Sequence, residues 1–507
     1  MLITFIYCID YPEQSNKSEK ADHVRGWLLC SHDFDTIKLS DSLAGDHAFE
    51  FGLHRPDVKR HFKKFSDSDT CGFTVTPIKR LINLNDEFVL NVNVSTGYSA
   101  SKKISISLDL NSSGIQEIEV DDEKDSSDKI AKETEKNFIN TLHGHPWITI
   151  RMDITNKCNL RCIMCHYKEK EIYSRPAKYI TAEQLKSSLQ DIAPYVKHIM
   201  LSCGFEPLMS KHFTEIVSML HNNFPQMEIG LCTNAMLLES KARKAIIENN
   251  VSHVILSFDG VTKRTLEKIR VGADYNRILS NIMALHELKK KHNRTSPLLF
   301  MDFVLMNSNL HEAPAFVGMC AKLGIAMIDF RHLVGNIYFS EHEEMPDTKD
   351  GKYNYYRQRI IEESKKYNMD VRLPEAFDTT SAYIPDERNA VCMTDFNNVI
   401  PDIQTEEIKP AKEVYYSSGK DADFAFLANA SCLRPFSEIM ITEDGKIMPC
   451  SYYSDAMGVL GDSNTLHSIF FNDTFRNVRR KKLLSRFDHN CMNCPIMMNL
   501  LPTEIVR

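Results

Sequence analysis

From Trp147 onward, short apolar runs alternate with stretches of helical periodicity, and this alternation constrains the fold more than any other feature of the chain. Strands are expected at Ile148 to Ile154, His198 to Ser202, Glu228 to Cys232, Val254 to Phe258, Leu298 to Leu305 and Met327 to His332. Between the first two, Leu185, Leu189, Ile192 and Val196 share one helical face, and Thr181 with Gln184 forms the capping pair that starts that helix. Strand and helix in repetition predict a parallel sheet with helical crossovers. Six such units make a partial (β/α)6, TIM-like barrel, so the expected fold class is α/β.

The rest of the 507 residues divides around this core. Residues 1–112 show short β-like runs separated by turn residues, the pattern of a small β-sandwich-like domain. Residues 113–140, rich in Ser, Asp, Glu and Lys, read as a solvated acidic linker. The barrel is expected over 141–345, a less regular bridge or lid over 346–430, and a compact cysteine-organised module over 431–507. Lys and Arg number 61 against 68 Asp and Glu, so no basic excess offers a general phosphate footprint, and nucleic acid is not an expected partner. No apolar run is long enough to span a membrane, and the apolar first residues lack the basic lead of a secretory signal. A cytoplasmic location is expected. Fourteen cysteines in such a chain argue for metal rather than disulfides.

Directly after the first strand stands Cys158-Asn-Leu-Arg-Cys162-Ile-Met-Cys165, three thiols within eight residues. Three cysteines can hold three irons of a 4Fe-4S cube and leave the fourth open for a ligand, whereas an electron-transfer cluster is closed by four. Zinc would want a fourth ligand, and His166 is awkwardly adjacent to Cys165 for tetrahedral binding.

In this order and spacing the chain resembles the radical S-adenosylmethionine (radical SAM) superfamily, whose CxxxCxxC loop follows the first strand of a partial barrel. The resemblance implies that Gly204-Phe205-Glu206-Pro207, after the second strand, holds the amino group of S-adenosylmethionine, with Glu206 opposite the ammonium and Phe205 where the family has glycine. It also implies that Thr233-Asn234 and the Ser257 to Gly260 segment, with Asp259, lie around the ribose and carboxylate, that Arg270 pairs with that carboxylate, and that Met164 lies against adenine where the family carries an aromatic residue. Seen singly, Thr233 and Asn234 could be a turn, Ser257 and Asp259 a helix cap, and Arg270 a solvated charge.

Near the C-terminus, Cys432, Cys450, Cys491 and Cys494 provide four thiols, with Gly445 between the first two. Composition alone leaves zinc and iron open for such a set. The Cys-x12-Gly-x4-Cys spacing resembles the SPASM/twitch extension of radical SAM enzymes, and that resemblance implies one auxiliary 4Fe-4S cluster. Activity implied is reductive cleavage of S-adenosylmethionine to a 5′-deoxyadenosyl radical that takes a hydrogen atom from a substrate, with flavodoxin or ferredoxin as electron donor. The substrate expected is a carbohydrate or small metabolite, with a peptide as the alternative; an iron-sulfur sensor or scaffold is the non-enzyme alternative. Arg25-Gly26-Trp27 and its neighbours are similar to β-domains beside glycan-modifying modules, with Trp27 either a core residue or a sugar platform. Cys8, Cys30, Cys71, Cys203, Cys232, Cys320 and Cys392 are expected as buried small hydrophobes, Cys392 alone as a candidate to face substrate.

Overall fold

In the computed structural model the described residues are 126–333 apart from 203, 346–385 apart from 380, 427, 430, 432–461, 464–484, 489–492, 494 and 504–506. Before these come 2–11, 20–21, 24–30, 34–39, 47–53, 55, 71–77, 82–83, 88–95, 101–108 and 115–121. Cys203 and Cys392 lie outside the described residues. The chain forms two compact units, Met1–Asn137 with Asn429–Ser431 and Arg480–Met498, and Phe138–Ala428 with Cys432–Arg479 and Asn499–Arg507.

The first unit contains a five-stranded and a three-stranded antiparallel sheet. In the three-stranded sheet Leu90 and Val92 on one strand and Ile106 and Leu108 on another are buried at alternate positions, as the period of two requires, and in the five-stranded sheet Leu28 and Phe73 are buried. Trp27 is buried as well, which makes it a core residue. The expected linker over 113–140 is not one. Ile115–Asp121 is a strand paired with Leu2–Cys8, and Ser126–Leu142 is a helix whose Ala131, Phe138 and Leu142 are buried. Its few apolar residues fall on one helical face, so a low apolar fraction conceals an amphipathic helix.

The second unit is built on parallel strands β1 (Ile148–Met152), β2 (Val196–Leu201), β3 (Glu228–Thr233), β4 (His253–Ser257), β5 (Leu298–Leu305) and β6 (Met327–His332), paired in chain order. These are the six expected strands. Helix Ala182–Leu189 begins with the expected capping box, Thr181 and Gln184 each bonding the other's backbone N–H. A seventh parallel strand, β7 (Asp370–Leu373), follows β6 by way of helix Lys352–Tyr367, whose Tyr353, Tyr356, Ile360 and Ser364 are buried. The irregular lid expected over 346–430 thus begins with another βα unit. On the other edge, β8 (Glu438–Ile441) pairs in parallel with β1 and turns antiparallel into β9 (Lys446–Met448). The turn between them places Gly445 at φ 80°, a conformation that favours glycine. The hairpin of β8 and β9 therefore extends the barrel sheet directly.

Candidate functional site

Strand alternation sends Phe303 and Phe330 outward against Phe316 of helix Ala313–Lys322. Their neighbours Asp302, Asp329 and Arg331 consequently face the interior. Met200, Ile255, Phe300 and Met327 pack into one apolar floor inside the barrel, with Cys232 against it. Above that floor, at the carboxyl ends of the strands, the groups become polar, on the edge where parallel α/β folds place their sites.

The loop after β1 carries Cys158, Cys162 and Cys165, and it is pinned on three sides. Arg161 N–H donates to Val271 O at 2.8 Å and Ile163 N–H to Ile269 O at 2.9 Å. Lys157 O accepts from Glu206 N–H at 3.0 Å, and Asn234 Nδ2 donates to Asn159 Oδ1 at 2.9 Å. Each thiol sits in the electrostatic field of at least one of the others, and burial pushes Cys158 up to about 11, Cys162 up to about 12 and Cys165 upward. Thiols held protonated by burial ionise when a cation arrives to compensate them. Among the described residues no three Cys, His, Asp or Glu side chains converge tightly enough for a single metal ion.

Glu206 is 2 % exposed. Thr233 Oγ1 donates to its Oε1 at 2.7 Å, Asn234 N–H to its Oε2 at 2.8 Å and Leu208 N–H to Oε1 at 3.1 Å. Burial nonetheless raises its carboxyl to about 7, against those hydrogen bonds. Sequence reading missed two supports of this segment. Asp153, at the end of the first strand, accepts from Gly204 N–H and Phe205 N–H at 3.0 and 3.2 Å. Tyr167 lies over Gly204 so closely that a Cβ there would meet the ring at 2.2 Å, and it packs on Phe205 with centroids 4.0 Å apart. Gly204 is demanded by close approach, while Phe205 is accommodated by turning onto that ring.

Two expected contacts take a different form. Asp259 is fully buried and bonds Arg270, Nη2 to Oδ2 at 2.6 Å, and Val304 N–H at 2.8 Å. Its carboxylate is thus engaged within the protein rather than turned to a ribose. Arg270 leans toward the cysteine loop, Nη1 3.9 Å from Cys162 Sγ, and its buried Nε has no hydrogen-bond partner among the described residues. Ser257 Oγ lies 3.4 Å from Cys232 Sγ, which makes Cys232 an interior-facing thiol rather than the simple buried hydrophobe expected. Met164 packs beside Ile269, Met306 and Leu333.

Beside these groups lies a charge network the sequence reading did not single out. Arg331 Nη2 bonds Asp302 Oδ1 at 3.2 Å and Asp329 Oδ2 at 2.6 Å, and Arg372 Nη1 bonds the same Asp329 oxygen at 3.3 Å. Burial raises the Asp302 carboxyl to about 6, and Asp329 Oδ1 is buried without a hydrogen-bond partner among the described residues. The available signal was charge at alternate positions, Asp329 and Arg331, in an otherwise apolar strand.

In the C-terminal module Cys450 feels the charge of Cys432, and burial pushes its thiol well up. Nearby Glu438 accepts from Arg434 Nη1 and Ser451 Oγ, both at 2.6 Å. Cys491 and Cys494 belong to the first unit, where Cys494 N–H donates to Cys491 O at 3.2 Å and Lys482 Nζ lies 2.9 Å from Cys491 Sγ.

Two family models match the chain. Residues 152–303 match the model of the radical SAM superfamily, and residues 432–495 match SPASM, an iron-sulfur cluster-binding domain. The chain is 26% identical over 228 residues to a probable GTP 3′,8-cyclase of Methanocaldococcus jannaschii, covering 44% of this chain and 73% of that protein. It is 25% identical over 345 residues to one of Methanothermobacter thermautotrophicus, covering 67% and 93%. Among solved structures it is similar to Streptococcus suis SuiB bound to S-adenosylmethionine, at 12% identity and a TM-score of 0.46, over 73% of this chain and 76% of that one. Its cofactors are accordingly S-adenosylmethionine, the 4Fe-4S cluster of the barrel and an auxiliary iron-sulfur cluster. The chain belongs to the radical SAM superfamily and is an iron-sulfur enzyme of the kind that carries a C-terminal SPASM domain.

Proposed function

We propose that Cys158, Cys162 and Cys165 hold the barrel cluster and that Glu206 receives the ammonium group of S-adenosylmethionine. The observation that carries this reading is Glu206 itself, a buried carboxyl lifted to about 7 in the field of Cys158 and hydrogen-bonded, among the described residues, by the neutral donors of Leu208, Thr233 and Asn234, with Arg270 acting on it through its charge. A cationic ligand would offset the cost of burying its charge. When bound, the cofactor pair supplies reductive cleavage of the sulfonium to methionine and a 5′-deoxyadenosyl radical, which takes a hydrogen atom from the substrate. The protein's part is to bind, orient and exclude water.

Thr233 and Asn234 fix the Glu206 carboxylate by direct hydrogen bonds, and Pro207 opens the short 3-10 turn whose Leu208 N–H completes that set. Asn234 also holds the cysteine loop through Asn159, so one side chain ties both halves of the site. Arg270, steadied by Asp259, places a cation against Cys162, where it favours the ionised thiol. Ser257 stands inside the barrel, beside Cys232, where it would meet the ribose or the substrate. The network of Asp302, Asp329, Arg331 and Arg372 is the proposed substrate wall, because it offers donors and acceptors inside the barrel at the carboxyl ends of β5 to β7.

The substrate proposed is a polar small molecule. Carbohydrate was favoured by the amino-terminal domain, but relatives matched over the barrel bear the name of an enzyme of GTP, so the class widens beyond glycans. A flavodoxin or ferredoxin in the cytoplasm would supply the electron; among the described residues no helix is long and apolar enough to cross a membrane. The test is anaerobic reduction of the reconstituted protein with S-adenosylmethionine. Formation of 5′-deoxyadenosine is expected, and its absence would overturn the proposal. GTP is the first substrate to add.

A further inference from the structure

The segment that opens with the cysteine loop is a basic face on an acidic chain. Residues 157–178 carry Lys157, Arg161, Lys168, Lys170, Arg175 and Lys178 against Glu169 and Glu171, whereas the whole chain has a net charge of −7. Of the six cations, Lys168 alone pairs with a carboxylate among the described residues, Glu169 at 4.0 Å. Lys170, Arg175 and Lys178 are exposed. The stretch is tied directly to the thiols. Asn156 Nδ2 donates to Pro176 O at 2.8 Å, and its Oδ1 accepts from Lys178 N–H at 2.8 Å. Lys157 Nζ donates to the carbonyls of Tyr173 and Arg175. The two residues just before Cys158 thus hold this face in place, and Arg161 acts electrostatically on Cys158 as Lys168 does on Cys165. An apolar centre lies among the charges. Tyr173 and Val271, 40 % and 45 % exposed, are two of the four large apolar side chains that stand exposed among the described residues. Arg161 joins them, its guanidinium 4.5 Å from the Tyr173 ring centroid and its N–H on Val271 O.

We propose that this face docks the acidic one-electron carrier protein that reduces the barrel cluster. Such docking rests on the reading of Cys158, Cys162 and Cys165 as the ligands of that cluster. Cleavage of the sulfonium consumes one electron, and electron transfer weakens steeply with distance, so the carrier has to seat its redox centre close to the cysteine loop. In the transfer the carrier loses one electron and the cluster gains it, with no bond made or broken. An apolar centre inside a charged rim is the make-up of a protein interface. The sign of the rim selects the partner. An acidic carrier is repelled by the net negative charge of the chain and drawn to the place where cations gather, and such steering raises association rates by about 10- to 1,000-fold.

The experiment measures initial rates of 5′-deoxyadenosine formation by full-length, anaerobically reconstituted protein at saturating S-adenosylmethionine. Electrons come from reduced flavodoxin or reduced plant-type ferredoxin, both strongly acidic, or from photoreduced deazaflavin, a small neutral donor that needs no docking face. In a triple variant, Lys170→Glu with Arg175→Glu and Lys178→Glu, the carrier concentration for half-maximal rate should rise about tenfold or more at low ionic strength. Its rate with deazaflavin should stay unchanged. Added salt should close the gap, since the screening length falls to about 3 Å at 1 M. A control, Lys290→Glu with Lys291→Glu and Arg294→Glu, makes the same change in net charge where helix Tyr275–Lys291 ends and the chain enters β5, at the barrel end opposite the cysteine loop. It should behave like the unaltered protein. Should the first variant also fail with deazaflavin, Lys170→Gln with Arg175→Gln and Lys178→Gln decides by the same criterion. An unchanged carrier requirement, an equal loss in the control, or reduction of the unaltered protein by deazaflavin but by neither carrier overturns the docking face. Unaltered protein that forms no 5′-deoxyadenosine with deazaflavin removes the cluster reading itself, and this inference with it.

Discussion

Glu206 shows how a single side chain reports its ligand. Its carboxyl is raised to about 7 by burial, whereas the unfolded chain ionises near the ordinary carboxylate value of 4.5. Ionising it in the ligand-free fold therefore costs stability, a penalty absent below pH 4.5 that grows to about 3 kcal/mol above pH 7. Unfolding of ligand-free Glu206→Gln against the unaltered protein should show the variant gaining relative stability across that window. Affinity for S-adenosylmethionine should run the other way, rising with pH until it levels above 7, because the ammonium needs the ionised partner. Calorimetry on Glu206→Ala should find binding weakened by about 3 to 5 kcal/mol with iron content unchanged. Gly204 offers a second test. Gly204→Ala drives a Cβ into the Tyr167 ring, so a loss of about 1 to 3 kcal/mol is expected in thermal unfolding. Pairing it with Tyr167→Ala should recover much of that loss relative to Tyr167→Ala alone.

At the scale of elements, the cysteine loop is shaped by the helix Lys263–Ile269 that ends against it, since the carbonyls of Ile269 and Val271 receive its N–H groups. That helix is anchored at its other end by Glu312. The carboxylate of Glu312 accepts from Val261 N–H at 2.6 Å, Thr262 N–H at 3.0 Å, Thr262 Oγ1 at 2.7 Å and Thr265 Oγ1 at 2.5 Å. Glu312→Ala leaves the buried Val261 N–H unmatched, at about 1 to 3 kcal/mol, and the part-buried donors of Thr262 and Thr265 with it. Lower thermal stability and weaker retention of the barrel iron under a chelator are both expected, although residue 312 belongs to the 3-10 turn Leu310–Glu312 and not to the cysteine loop. Thr181→Ala, which removes only the capping box of helix Ala182–Leu189, should cost about 1 kcal/mol and leave iron retention unchanged. The contrast separates an element that carries the site from one that merely closes the fold.

At the scale of the whole molecule, three loop thiols and four C-terminal ones predict about eight irons from two four-iron clusters. Replacing Cys158, Cys162 and Cys165 with Ala should remove about half. A Cys491→Ala and Cys494→Ala double variant should still form 5′-deoxyadenosine while yielding little finished product. Limited proteolysis distinguishes the two ways this can arise. A loosened C-terminal module marks a structural cluster, because metal binding is coupled to folding, whereas an intact one marks electron transfer.

The six barrel strands and the cysteine loop were legible because both are local. Buried parallel strands need continuous apolar runs, and a cluster loop needs its thiols a few residues apart, so sequence spacing alone specifies them. The same locality made Thr181 and Gln184 readable as a cap. Tertiary structure alone decided the rest. The seventh strand was hidden because Asp370–Leu373 is only four residues long and carries charge at Asp370 and Arg372, and the helix at Ser126 by a composition mostly of solvent-facing residues. Asp259 was expected at the ligand and is engaged with Arg270, because a charge's partner is set by which strands neighbour in space. For the same reason Asp302, Asp329, Arg331 and Arg372, spread over three strands, form one network that no local spacing announces. The sequence by itself determined which elements form and which thiols stand together; pairing across the barrel interior, which depends on register and strand order, belongs to the tertiary structure.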